Sequence, residues 1–298
     1  MTAVGLPLGR TRSRAISGRR PVRPMKRIRK IGFTVLAVLI GLWSVLPFVW
    51  QALSSFQPDE ALTSKTPVLI SARMTWAHYA SIFGARDFQA YILNSAIVTL
   101  SATLIALVLA IACAYALTRL PLPGKGIVLA VSLALSMFPQ ISIVTPLYLV
   151  MIKFNLLDTY EGLGGVYVGL SMPLMIFVLY GHFRSIPMEM DEAASIDGAN
   201  RLRALFSVIM PLAAPGVVTA GLLGFIANWN EFLLALSFTS SQQRQTIPVG
   251  IANFNGQYFI PWGDMAAASV VVTIPLIVMV LVFQRRLVAG ITAGGVKE

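Results

Sequence analysis

The sequence predicts an all-α membrane protein with six spans. Three observations carry that prediction. Of its 298 residues 56% are hydrophobic and only 12% are charged, with a mean hydropathy of +0.76. Six charge-free runs of 20 or more residues cover 31–58, 88–118, 126–152, 162–183, 204–230 and 265–284. The basic residues that remain are distributed unevenly along the chain. These figures exclude a disordered chain, a collagen-like chain and an ordinary soluble enzyme.

A helix of about 20 residues crosses a hydrocarbon layer of about 30 Å. Backbone in lipid must close its own hydrogen bonds, so each run reads as a helix. The spans fall near 31–50, 91–117, 127–151, 163–183, 212–236 and 265–285. The first follows a basic segment, as a signal peptide would. Its apolar run is too long for one and no small-x-small cleavage site follows, so it reads as a retained signal anchor. Pro139 and Pro146 lie in the third span, Pro173 in the fourth and Pro275 in the sixth. In a bundle, neighbouring helices can satisfy the carbonyls that proline frees. Such kinks suit helices curved around a cavity, or simple packing bends. Gly165-x-x-x-Gly169 has the spacing of a close helix contact.

The formal net charge is +11, and ten of the 23 Lys/Arg residues fall within 1–30, with no acid among them. The rest of the chain is nearly neutral. A basic tail can serve nucleic acid, but no folded basic or aromatic surface accompanies this one. The positive-inside rule accounts for it as a cytoplasmic tail beside the first span. With the N-terminus inside, the inner segments carry 18 Lys/Arg and the outer segments 5, which predicts both termini in the cytoplasm.

Familiar chemistry is missing. There is no Gly-x-x-x-x-Gly-Lys-Ser/Thr, Gly-x-Ser-x-Gly or His-Glu-x-x-His. The single Cys113 and the separated His78 and His182 offer no metal centre. The only acid within the predicted spans is Glu231. An ion-driven carrier commonly spends several costly intramembrane charges on coupling, so transport would draw its energy from a partner.

The most informative segment is 185–215, read as a helix–turn–helix on the cytoplasmic side. Ser185 is a candidate N-cap and Pro187 suits a first turn. Glu189, Asp191 and Glu192 favour a helix start. Gly198 can end that helix in a left-handed turn, and Asn200 can cap the next. A short acidic helix with small Ala193 and Ala194 fits a groove on another protein, with Glu192 facing an arginine. The alternative is a helix lying on lipid, where anionic headgroups would repel its acids.

Glu192-Ala193-Ala194, followed by Asp197-Gly198-Ala199 and then Ile209 and Pro211, resembles the EAA loop of ABC importer permeases. The resemblance implies a type I ABC importer transmembrane domain (MetI-like), and it covers roughly 30–298. It implies ATPase-coupling roles for Glu192, Ala193, Ala194, Asp197, Gly198, Ala199 and Pro211. The C-terminal 283–298 stretch resembles the tail of carbohydrate permeases of the MalG type, and the last stretch of about 50 residues resembles the trehalose-importing branch. The implied role is a tail inserted between ATPase subunits, carried by Gly290, Gly294, Gly295 and Lys297. Three glycines make it a poor helix, suited to an extended insertion. The family usually ends Gly-Ala-Val-Lys-Gly, where this chain has Gly295 and Glu298.

Asn228-Trp229-Asn230-Glu231-Phe232 resembles the family's Trp-Asn-Asp/Glu-Phe segment. Asn228, Trp229, Asn230 and Glu231 either line a sugar path or anchor the chain at the headgroups. In the loop 237–264, Asn253, Phe254, Asn255, Gly256 and Gln257 are either a tip that meets a binding protein or a plain connection.

The expected organisation is a basic cytoplasmic tail 1–30, a six-helix domain 31–285 with coupling loop 185–211 and outer loop 237–264, and a cytoplasmic tail 286–298. The implied protein is a multi-pass permease in a prokaryotic plasma (inner) membrane, importing an α-linked di- or oligosaccharide such as trehalose or maltose. Its implied partners are an ABC ATPase dimer, a second permease subunit, an extracytoplasmic sugar-binding protein and membrane lipid, with no nucleic acid. The chain itself would hold no cofactor and no metal, ATP–Mg belonging to the ATPase, and would perform no covalent chemistry. The alternatives are a permease of the same architecture for another solute, such as glycerol phosphate, and a secondary carrier.

Overall fold

The computed structural model describes residues 24–66, 70–71, 73–256 and 259–295, with side chains described between 30 and 285. Residues 1–23 of the basic tail, Gln257 and Lys297 lie outside the described residues. The described residues are helical, with no strand among them. In order they form α1 (Pro24–Ser54), α2 (Asp59–Leu62), α3 (Ala77–Gly84), α4 (Phe88–Arg119), α5 (Lys125–Ser136), α6 (Gln140–Lys153), α7 (Tyr160–Ser185), α8 (Glu189–Ile196) and α9 (Arg201–Ala204). A π-helical turn, Leu205–Ile209, leads into α10 (Met210–Leu212), α11 (Ala214–Trp229), α12 (Leu233–Phe238), α13 (Ile247–Ala252) and α14 (Trp262–Gly295).

The chain divides into two units, 1–49 and 50–298. In the first, the described part of α1 carries Ile31, Phe33, Leu39, Trp43 and Leu46, all exposed. A helix apolar all round finds its burial in lipid or in another chain.

In the second unit, α4 and α7 form the spine. Ala102, Ala106, Ala110 and Ala114 recur every fourth residue on α4 and are buried, as are Met175, Leu179 and Phe183 on α7. Fourfold spacing puts each set on one face. Small side chains let two spanning helices approach closely, which is what drives packing where lipid is as apolar as the core. Leu205, Ile209 and Ala213 join the same cluster, so the 185–215 segment is built on this spine.

Four helices are long and apolar enough to cross a membrane: Lys30–Ser54, Phe88–Arg119, Tyr160–Ser185 and Trp262–Arg285. Counting each of two bent pairs as one span brings the total to six: α5 with α6 at 97°, and Arg201–Leu212 with α11 at 83°. The expected third span, 127–151, is therefore broken. Pro139 disfavours helix at the residue before it, and α5 ends at Ser136. Pro146, Pro173 and Pro275 by contrast sit inside continuous helices. The expected fifth span, 212–236, is interrupted twice, at Ala213 and again after Trp229.

The sixth helix starts at Trp262, which draws Asp264 into it, and runs on to Gly295. Gly290, Gly294 and Gly295 are thus helical rather than extended. Extending a formed helix fixes one residue per hydrogen bond, so the glycine penalty of about 1 kcal/mol each is met one residue at a time. Gly165 and Gly169 make no close helix contact among the described residues, since a Cβ at either would find open space. They face a groove of about 550 Å³ with Pro146, Leu147 and Val150.

Candidate functional site

At one end of the α4–α7 spine stands α8. Ser185 is not its cap. That residue closes α7, its Oγ donating to the His182 carbonyl at 2.7 Å. Helix α8 begins at Glu189 with no side-chain cap, and Glu189, Asp191 and Glu192 in its first turn supply the favourable charge instead. Its C-terminus closes in a Schellman motif. Gly198 has φ +77°. The Gly198 amide donates to Ser195 O at 3.1 Å and the Ala199 amide to Ala194 O at 2.9 Å. Asn200 Oδ1 then accepts from the Arg203 amide at 2.9 Å and caps α9.

The two faces of α8 differ. Ala194 is buried, while Glu192, Ala193 and Asp197 are exposed and Ile196 is 86% exposed. Met188, Met190, Leu202 and Phe206 add exposed apolar surface around them. Ala199 is half-buried, and Pro211 lies in α10 just before the bend at Ala213. A cavity of about 350 Å³ separates α8 from the end of α4, lined by Tyr115, Arg119, Met188, Glu192, Ser195 and Arg201.

A contact that sequence reading misses crosses this cavity. Arg119 Nε and Asp191 Oδ2 lie 2.8 Å apart, with the arginine side chain 5% exposed. Neither atom makes a hydrogen bond, so charge holds the pair. Arg119 Nη2 also donates to Ile186 O at 3.0 Å. Only the position of Arg119 at the end of a long apolar run hints at this.

The segment 228–231 is brought together with the core. Asn228 is buried and donates to Thr103 Oγ1 at 3.2 Å. Trp229 is buried and stacks on Phe225 at 5.4 Å. Glu231 is buried too. Its Oε2 accepts from the Tyr167 hydroxyl at 2.9 Å and the Ala235 amide at 3.0 Å, and its Oε1 from the Leu234 amide at 2.8 Å. Glu231 therefore caps α12, and Asn230 alone of the four is exposed. A headgroup-level anchor does not fit this burial.

At the opposite end of the spine, the 237–264 segment folds over the start of α4. Asn94 Nδ2 donates to Gln245 O at 2.9 Å, and Ser95 Oγ accepts from the Ile247 amide at 2.8 Å. Asn253, Asn255 and Gly256 are exposed. Phe254 is not a free tip residue. It is buried beneath Arg86, whose guanidinium carbon sits 4.5 Å from the ring centroid.

Arg86 belongs to a polar cluster that the sequence did not announce. Asp264 Oδ2 accepts from Arg86 Nε at 2.7 Å and from Ser81 Oγ at 2.9 Å, and Oδ1 meets His78 Nδ1 at 2.9 Å. His78 Nε2 lies 2.9 Å from Gln57 O. Both ring nitrogens are thus engaged. Among the described residues no group of three His, Cys, Asp or Glu could hold a metal ion.

A bundle of membrane-length helices, carrying a short helix tied at Asp191 to the end of α4 and otherwise largely open, defines the class: a multi-pass transport component. The match to known proteins gives the family. Residues 106–293 match the binding-protein-dependent transport system inner membrane component, and the chain belongs to that family. It is accordingly a non-enzymatic permease subunit of an ABC transporter. It is 44% identical to the trehalose transport system permease protein SugB of Mycobacterium tuberculosis, over 89% of this chain and 97% of that one. It is 38% identical to the trehalose/maltose transport system permease protein MalG of Thermococcus litoralis, over 91% and 98%. The sulfoquinovosyl glycerol permease protein SmoH of Agrobacterium fabrum is also 38% identical, over 91% and 94%. In fold it is similar to a bacterial ABC transporter involved in import of the acidic polysaccharide alginate, with TM-score 0.75 and 23% identity over 88% of this chain and 97% of that one.

Proposed function

We propose that this chain couples ATP hydrolysis in a partner ATPase dimer to the import of an α-linked di- or oligosaccharide such as trehalose or maltose. The observation that carries the reading is α8: an open face of Glu192, Ala193 and Ile196 on a helix tied to the end of α4 through the contacts of Asp191 with Arg119 and Tyr115. A cleft on the ATPase receives that face, and closure of the ATPases on ATP tilts the spine and exchanges inward for outward access. ATP and Mg²⁺ stay on the ATPase. A second permease subunit completes the path. An extracytoplasmic sugar-binding protein delivers solute to the end that carries Asn253, Asn255 and Gly256. The α8 end and both termini are cytoplasmic, in keeping with the excess of Lys/Arg there.

Two of the three relatives named above, SugB and MalG, are trehalose or trehalose/maltose permeases, which supports that substrate class. An acidic saccharide or glycerol phosphate would call for a fixed cation along the path. Among the described spanning residues, cations stand only at helix ends, as at Lys30, Arg119, Lys125, Lys153 and Arg184. Asn230, the exposed amide of its segment, is the residue of that group available to a sugar hydroxyl.

The test is deletion of 190–199, with Gly198→Val beside it, in cells that depend on this chain for growth on the sugar. Both variants insert into the membrane and neither takes up sugar. Normal uptake by either would end the coupling assignment.

A further inference from the structure

We propose that the Arg119–Asp191 pair is the strut that carries displacement of α8 into the spanning helix α4, an inference that rests on the coupling reading above. Arg119 is the last residue of α4, and Asp191 stands in the first turn of α8. The 2.8 Å charge contact is one grip. The bond from Arg119 Nη2 to Ile186 O is a second, on the residue that follows α7. One turn earlier on α4, the Tyr115 hydroxyl lies 3.5 Å from both Asp191 Oδ1 and the Arg201 carbonyl. A single guanidinium therefore holds the entrance to α8 and its first turn at once, while Tyr115 reaches from α8 to the start of α9. Arginine's planar fork can serve a carboxylate and a carbonyl together, which a lysine point charge cannot.

Apolar contacts also join this loop to α4 and α7, through Ala114, Leu117, Phe183, Leu205 and Ile209. Dispersion contacts are non-directional, and such faces can slide by small steps. The ion pair sets the register between the two helices. Its net worth for stability is small when both partners are present, and the loss of one leaves a buried charge unmatched. Arg119 and Asp191 act here as positioning residues.

The experiment uses the whole complex, with partner permease, ATPase and binding protein, in proteoliposomes. Uptake of radiolabelled trehalose, or of maltose where the wild type prefers it, is measured against phosphate release on the same vesicles. The variants are Arg119→Gln, Asp191→Asn, and the exchange Arg119→Asp with Asp191→Arg. Each single change lowers sugar moved per ATP on the order of tenfold, with the ATPase still co-purifying, and the exchange recovers much of the loss. Arg119→Lys, keeping charge without the fork, falls between. An unchanged ratio would overturn the proposal. So would loss of the ATPase from the complex in the single variants, or an exchange no better than either of them. Failure of the coupling reading itself looks different: wild-type vesicles would take up sugar without ATP.

Discussion

The hydroxyl of Tyr167 in α7 donates to Glu231 Oε2 at 2.9 Å, and the same carboxylate caps α12 through the Leu234 and Ala235 amides. One buried acid thus fixes both the interruption of the chain after Trp229 and its packing on the spine. Hydrogen bonds to a charged group contribute more than neutral ones, and an orphaned buried partner is costly. Tyr167→Phe should destabilise the protein by about 1–2 kcal/mol and Glu231→Ala by about 2–3 kcal/mol, with Glu231→Gln milder than Glu231→Ala. Thermal unfolding in detergent checks the order. Equal melting temperatures for all three variants and the wild type would mean that the buried acid fixes nothing.

Gly198 sits at φ +77°, where side chains other than Asn and Asp are strained. Gly198→Asn should keep the end of α8 and most of the ATPase binding. Gly198→Val should cost about 1–2 kcal/mol locally and weaken ATPase co-purification. Similar ATPase recovery from the two variants would separate docking from the Schellman turn.

Gly263 packs against the His78 ring so closely that a Cβ there would collide with it. The ring cannot swing away without leaving Asp264 or Gln57. Gly263→Ala should destabilise by about 1–3 kcal/mol. Combining it with His78→Ala should be far less than additive in a double-mutant cycle, because the collision is then gone.

Asp158, in the turn before α7, accepts from the Ser240 and Ser241 amides at 2.9 and 3.0 Å. Burial raises its carboxyl pKa. The bonds from Ser241 and Ser240 and the Arg244 charge outweigh that and hold it below its ordinary 3.8. A lowered folded-state value means that its contribution is full above 3.8 and fades as pH falls through the folded value. Hydrogen exchange at Ser240 and Ser241 should therefore lose protection in acid beyond the intrinsic rate change, and Asp158→Asn should remove that dependence. Identical pH profiles in wild type and variant would contradict it.

What was legible in the sequence was local. Charge-free runs locate helices because lipid leaves the backbone no alternative. Gly198 and Asn200 mark a turn and a cap because their chemistry acts within a few residues. Contacts between distant residues were not legible. Arg119 meets Asp191 across 72 positions of sequence, and His78 meets Asp264 across 186. Neither pairing has a periodic or spacing signature. Ser185 misled because its hydroxyl bonds backward to His182 and not forward to α8. The segment 228–231 misled in another way. Polar residues beside an apolar run suggest a wet path, but three of the four turn inward once Tyr167 and Thr103 supply partners.

The measurement that tests the central claim most directly is purification of this chain from its native membrane in mild detergent, with the accompanying proteins identified by mass. The account predicts an ABC ATPase, a second permease of the same family and a sugar-binding protein in the complex, and ATP-dependent uptake when that complex is reconstituted. A chain that comes out alone or as a homo-oligomer, and moves sugar without any ATPase, would contradict it.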